Sequence, residues 1–521
     1  MAIVREPTVG TFLQGNWSIL LLVTVAITIG IRLIPSRANV PVYSRYSGWR
    51  GRWKDSLHYL HDSAGTLRAG YEKFSRHGQF FQLRTPIRWI VVVPPKFVDE
   101  IRTAPPTHLS AKESANDVLQ TRYTVSPIVE AEKFHFHIVK THLTPNLENK
   151  IDDIRDEIKL SFGDEIGNPT GEIPRPRQPK ALSHLCVDWT AVVMSRAAHR
   201  IATRTANRLL VGAPLCRNEE YLDMSIKYTI DVFGGADKLR AWPKFLRSTV
   251  TQFVTNVKER QRVARKYLIP YIKARLQEES RGLLEKPPVD SLQWVMDAAP
   301  NSSERDPERL MFRLLHLNVA AVHTTSATYL NAMLDLAFHT EIHGELRTEI
   351  DSAVQEHGWS GRALSQMRKL DSFLTESQRL SPLASSQLTR AVIQDFTFSD
   401  GTTVPKGSYV LAPMYAMYLD DDIYPNASTF DAFRFSKLRE QPGHENRHQF
   451  VTTSPTHINF GHGKDACPGR FFAAQEIKLL LAHALQSYDI RLEDPTNLPE
   501  GSWYDRSRKP NQTARVLFRS R

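Results

Sequence analysis

The segment Phe460–Arg470, FGHGKDACPGR, sets three glycines and a proline around one cysteine, in a chain of 521 residues that has only three cysteines. A lone cysteine is usually a small hydrophobe. Cys467 has surroundings that suit chemistry instead. Gly461, Gly463 and Gly469 let the backbone turn tightly and come close to something flat. The apolar spacing of Phe471–Leu485 predicts a helix just after Pro468-Gly469, which puts the sulfur at a helix N-terminus. Free N–H groups and the dipole there favour a thiolate, able to attack a substrate or ligate a metal. Attack needs a base that the sequence does not place. No CxxC pair or Cys/His ladder offers a zinc site. Ligation of a metal fits better.

The elements that must position this loop are mostly helical. Asp306-Pro307-Glu308 reads as an N-cap, a proline at the first helical position and an acid in the first turn. The helix it opens runs to about His339, roughly 50 Å long. Its centre is apolar on nearly all faces, so it runs through a core rather than over one. Yet His323, Thr324, Thr325 and Ser326 stand in its middle, where polar groups must be bonded or face a cavity. Gln252–Arg281 and Leu364–Leu380 also carry helical spacing. Strand signals are few. Phe80–Arg84 and Trp89–Val93 predict a hairpin, Phe396–Pro413 short strands around an Asp-Gly turn, and Tyr488–Asp494 with Ala514–Phe518 a closing strand set.

Composition is globular, with 41% hydrophobic and 24% charged residues, and the cysteine count excludes a disulfide scaffold. The formal net charge of +11 comes from dispersed basic residues, and no nucleic-acid-binding signature accompanies it. Pro7–Ile31 carries no charge, and a helix over Val9–Ile31 spans about 34 Å, enough to cross a bilayer. Arg32, Arg37, Arg45, Arg50, Arg52 and Lys54 follow it, which places the bulk of the chain in the cytosol. No small-x-small cleavage site precedes the basic run, so an uncleaved anchor is expected.

Phe460, Gly463, Cys467 and Gly469 satisfy F-x-x-G-x-x-x-C-x-G, and the loop resembles the haem-binding loop of cytochrome P450 monooxygenases. Glu376–Arg379 (ESQR) is similar to the family's E-x-x-R, and Phe430–Phe435 (FDAFRF) to its F-x-P-x-R-F, with Ala432 in place of proline. Ala320–Thr325 (AAVHTT) resembles its oxygen-binding groove. The resemblance implies the P450 fold, mainly α with small β-sheets. It divides the chain into an anchor and hinge at 1–36 and one haem-thiolate domain at 37–521. It implies haem b with Cys467 as the axial ligand of iron, Thr324 helping proton delivery, and Glu376, Arg379 and Arg434 as a buried ion network. Asn207–Asn218 and the His-Thr-Thr triplet resemble a fungal, terpenoid-oxidising branch, with Cys216 part of that signature and Cys186 a core residue.

Two departures matter. His323 stands where most members carry an acid, and it could relay protons or be a bonded core residue. Asp465 stands where the family often has a base against a haem propionate. It either turns outward or is compensated by Lys464 and another base, and Arg390 and Lys140 become the propionate candidates. By resemblance, Leu315–Ala321, the loop before Lys140, Pro382–Gln387 and Lys509–Gln512 wall the pocket of a hydrophobic small molecule. The implied electron source is NADPH–cytochrome P450 reductase, with cytochrome b5 as an additional donor, at the endoplasmic reticulum membrane. Lys437, Arg439, Arg447, Lys464 and Arg470 could form the basic docking face. Rival readings are a haem-thiolate isomerase or dehydratase, a non-enzymatic haem-binding membrane protein and, last, a cysteine hydrolase.

Overall fold

The computed structural model describes residues 37–86, 88–167, 189–283 and 285–521. The expected anchor at 1–36 and Cys186 lie outside the described residues. Among the described residues no helix is long and apolar enough to cross a membrane.

The helices used below are α1 (Gly48–His61), α2 (Ala111–Leu119), α3 (Ile151–Glu165), α4 (Met194–Leu210), α5 (Glu219–Arg240), α6 (Val257–Ser280), α7 (Pro307–Phe338), α8 (Arg368–Leu380) and α9 (Arg470–Ser487). Helix α7 starts where the sequence predicts. The Asp306 carboxylate accepts from the N–H groups of Glu308 and Arg309, a cap that contributes about 1 kcal/mol. Most of its 32 residues are buried. It is packed by α4, α5, α6, α8 and α9, as an all-round apolar helix requires. Two predicted helices are broken. Helix α6 follows a separate helix, Arg247–Val254, and α8 follows Gly361–Gln366 after a break at Met367, whose ψ is 68°.

The strands are β1 (Phe81–Arg84), β2 (Trp89–Val92), β3 (Leu109–Ser110), β4 (Thr190–Val193), β5 (Gln387–Val392), β6 (Phe396–Thr397), β7 (Thr403–Val404), β8 (Tyr409–Ala412), β9 (Tyr488–Leu492), β10 (Ser502–Tyr504), β11 (Ser507–Lys509) and β12 (Arg515–Ser520). The predicted hairpin forms with Arg84 opposite Trp89, and β2 then pairs in parallel with β8. The main sheet runs β1-β2-β8-β5-β3. In the closing set, β12 lies between β9 and β4, and β4 carries no signal recognised in the sequence. Strand β5 shifts register against β8 between Gln387 and Arg390, and Leu388 within the shift has φ +53°, in the left-handed region. For a leucine that backbone costs about 1–3 kcal/mol.

The core buries histidines as well as apolar side chains. Arg313 Nη1 donates to His135 Nδ1 at 3.1 Å, so His135 carries its proton on Nε2 and donates it to His316 Nδ1 at 3.0 Å. Burial pushes His316 down to about 3, with Lys133 and Arg313 adding to the effect, and burial likewise lowers His135. His457 and His483 are each pushed down by burial to about 4. A depressed folded pKa leaves stability complete above the ordinary value of 6.5. Below it the unfolded chain takes up protons that the folded one refuses, and stability falls at about 1.4 kcal/mol per pH unit for each such histidine. Thermal unfolding is therefore expected to shift several degrees downward between about pH 6.5 and pH 5. An unchanged midpoint over that interval contradicts the assignment.

Candidate active site

Ala320 and Thr324 are exposed, although they lie in the middle of the buried helix α7. They are four residues apart, hence on one face. That face opens on an internal cavity of about 350 Å³, which Thr324 and Thr328 line from α7. Thr324 Oγ1 donates to the carbonyl of Ala320 at 2.8 Å, leaving its oxygen free to accept. His323 turns elsewhere. Its ring lies 4.4 Å from that of Phe233 on α5, and Nδ1 has no partner among the described residues. Burial, helped by His199 and Lys509, pushes it down to about 4, so it is neutral at pH 7.

Across the cavity stands the cysteine loop. Gly461 and Gly463 have φ of +72° and +75°, where a side chain is strained. At Gly463 a Cβ would also sit 2.0 Å from the Arg102 side chain. Gly469 has an ordinary φ, and a Cβ there would meet Val139 at 3.9 Å. The Cys467 N–H donates to the carbonyl of Phe460 at 2.7 Å and closes the loop. Phe460 stands edge-on to Phe450 and lines the cavity together with Cys467. Burial raises the thiol pKa, and it is opposed by the N–H groups of Gly469 and Arg470 and by the Arg470 guanidinium. These are the donors that the start of α9 supplies.

Arg390 reaches the same cavity from β5, and its Nη2 donates to Asp465 Oδ2 at 3.0 Å. The unusual acid at 465 therefore neither turns away nor relies on Lys464, whose Nζ donates to the Ala104 carbonyl at 3.4 Å. Arg390 also donates to the Thr389 carbonyl, which leaves further N–H groups among its five free. Lys140 is exposed in the single turn Val139–Leu143 and does not line the cavity, although Val139 beside it packs at Gly469. Leu383, Ala384 and Gln387 line the cavity from the predicted wall, whereas Leu315–Val319 is buried in the helix packing.

Behind the loop, Glu376 and Arg379 on α8 are fully buried and form two bonds of 2.8 and 2.7 Å. Arg434 Nε donates to Glu376 at 3.1 Å. The spare guanidinium donors go to carbonyls, those of Tyr418 and Ala427 from Arg379 and those of Pro425 and Thr429 from Arg434. The three predicted residues are one network, and it pins the 425–431 turn to α8. The missing proline at Ala432 leaves this intact.

Two features of the site, and one buried carboxyl on α9 outside the cavity lining, were not recognised in the sequence. Thr328 could have been found, because it repeats the four-residue spacing of Ala320 and Thr324. The Asp465–Arg390 pairing had no signal across 75 residues. Glu476 on α9 reads as a polar helix position, yet it is buried with both carboxylate oxygens unpartnered among the described residues, and burial pushes its pKa well up.

Among the described residues no group of three His, Cys, Asp or Glu side chains could share a metal ion. A metal at Cys467 would have one protein ligand from this loop, with the others supplied by a cofactor. A soft thiolate at the cavity wall, a donor-rich arginine at its edge and room above fit a haem.

The architecture is that of a haem-thiolate oxygenase. The chain matches a retinoic acid-bound cyanobacterial CYP120A1 with a TM-score of 0.63 at 19% identity, covering 93% of this chain and 100% of that one. A family model described as Cytochrome P450 matches residues 182–513. Cytochrome P450 monooxygenase 151 of Postia placenta is 33% identical over 89% of this chain and 90% of its own. Cytochrome P450 monooxygenase olcJ of Penicillium canescens is 34% identical over 93% and 88%. The chain belongs to the cytochrome P450 family and is a monooxygenase of that family, whose cofactor is haem b bound through a cysteine thiolate.

Proposed function

We propose that this enzyme inserts one oxygen atom of O2 into a C–H bond of an apolar secondary metabolite of terpenoid type, with Cys467 as the thiolate ligand of haem. The observation that carries this reading is one cavity with Cys467 on one wall and Thr324 on the other. Haem, when bound, supplies the activation of O2. Cys467 supplies a negative ligand from a helix start, with N–H groups aimed at the sulfur. Arg390, paired with Asp465, offers its remaining donors to a propionate. Lys140, exposed on the neighbouring turn, is a second candidate for that contact. Thr324 offers a hydroxyl that can take a proton from water and pass it across the cavity. His323, neutral and turned toward Phe233, stands one residue away as a secondary relay.

The substrate class rests on resemblance to fungal enzymes. Electrons come from NADPH through a separate reductase, with cytochrome b5 as an additional donor. Of the basic residues suggested for docking, Arg439 is buried against Asp371 and is structural, which leaves Lys437, Arg447, Lys464 and Arg470. Residues 1–36 would anchor the domain at the endoplasmic reticulum, with 37–521 in the cytosol.

The test is turnover of membrane-expressed enzyme with NADPH and reductase against a terpenoid panel. Product that forms without NADPH overturns the reading. Thr324→Ala is expected to lower product roughly tenfold or more while NADPH consumption continues and hydrogen peroxide accumulates. Unchanged product per NADPH would show that the hydroxyl delivers no proton.

A further inference from the structure

Among the described residues, the lining of the reaction cavity holds no acid free to give up a proton. The acid in that lining, Asp465, is paired with Arg390. The Thr324 proton is committed to the Ala320 carbonyl, and His323 is neutral and turned toward Phe233. Glu476 on α9 is buried with nothing to oppose the rise in its pKa, so it keeps its proton.

The face of α7 that opens on the cavity continues beyond it as a polar stripe. Thr324, Thr328, Asn331 and Asp335 are spaced by four, three and four residues. They therefore lie within about 60° of one another around the helix. The α8 segment meets this stripe with polar groups of its own. Asn331 Nδ2 donates to the Ser381 carbonyl at 3.0 Å, and Ser377 Oγ donates to Asp335 Oδ2 at 2.5 Å. Gln378, next to Ser377, lines the cavity with a buried Oε1 that has no partner among the described residues. Packing does not require an acid at 335, because an asparagine would accept the Ser377 bond without the cost of burying an acid.

Burial pushes the Asp335 carboxyl up to about 7. Ser377 and the Arg508 guanidinium of β11 draw it down, and Glu376 of α8, itself bound by Arg379 and Arg434, adds to the rise. At neutral pH such a group can both give and regain a proton.

We propose that Asp335 is the proton source of the reaction and supplies Thr324 along this stripe. The Asp335 O–H bond breaks, and water between the polar side chains carries the proton past Asn331 and Thr328. It reaches the Thr324 oxygen, about 16 Å away along the helix axis, from which one proton goes on into the cavity. Water then restores the acid, and no electron moves. Asp335 touches neither substrate nor cofactor, so it acts through Thr324. The role rests on the monooxygenase reading.

Three measurements on the full-length holoenzyme test this. In infrared difference spectra between about pH 6 and pH 8, a protonated-carboxyl band is expected to titrate in the natural enzyme and to be missing from Asp335→Asn. With NADPH, reductase and a substrate that is turned over, product per NADPH should fall as pH rises through about 7. In Asp335→Asn it should be roughly tenfold lower and independent of pH, while the carbon-monoxide spectrum keeps its thiolate position. Asp335→Glu should keep the pH dependence. The double variant with Thr324→Ala should be no worse than Thr324→Ala alone, because both residues lie on one path. Infrared spectra that Asp335→Asn leaves unchanged overturn the proposal. A natural pH profile in that variant does the same, as does a loss that adds to that of Thr324→Ala. A thiolate spectrum lost in Asp335→Asn makes the side chain structural and also overturns it. A natural enzyme with no thiolate spectrum removes the monooxygenase reading and this role with it, whereas any failure above beside a natural thiolate spectrum removes the role alone.

Discussion

Cys467→Ala is expected to remove the strongly red-shifted Soret band of the reduced, carbon-monoxide-bound protein and to bring turnover to background. The band depends on a thiolate bound to iron. Cys216 cannot replace it, because it is buried with its Sγ 3.8 Å from Glu157. Cys467→Ser is the sharper variant. It keeps an oxygen within reach of the same N–H groups but makes a harder, less electron-donating ligand. It should leave the loop folded and shift the band to an ordinary position. A red-shifted band that persists in either variant assigns the ligand to another residue and ends the reading of the loop.

Glu376→Ala is expected to yield no holoprotein. The substitution strands two guanidiniums, Arg379 without exposure and Arg434 nearly so. Breaking a buried pair by removing one partner costs about 3–5 kcal/mol. Domains of ordinary stability have about 5–15 kcal/mol in total. The damage is also placed where it spreads, since Arg379 and Arg434 hold the carbonyls of the 425–431 turn. Limited proteolysis should show that stretch cut first, and haem content should fall with it. Glu376→Gln keeps the acceptor but drops the charge, so it should lie between. Full haem content in Glu376→Ala would mean that the network is dispensable.

The cysteine loop was legible because its glycines answer to local backbone geometry, and two of the three do sit at positive φ. The extent of α7 was legible for the same reason, since capping is a short-range matter. What depended on distance was not. Asp465 looked like an obstacle to a propionate until β5 brought Arg390 beside it. Arg439 looked like surface charge until Asp371 closed over it. The break at Met367 carries neither glycine nor proline, so the apolar spacing ran straight through it. The strand at Thr190–Val193 forms only because β12 offers it an edge.

Strand β5 separates the reaction cavity from a second one, of about 280 Å³, and this limits how the enzyme can change. Thr389 serves the second room and Leu388 and Arg390 the first, while Gln387, before the register shift, shares the first with Leu388. Loss or gain of one residue past that shift would turn the arginine out of the reaction cavity. Descendants that take new substrates can therefore swap side chains along this wall, but they cannot alter its length by one. Variation in length has to be found in the loops beyond it.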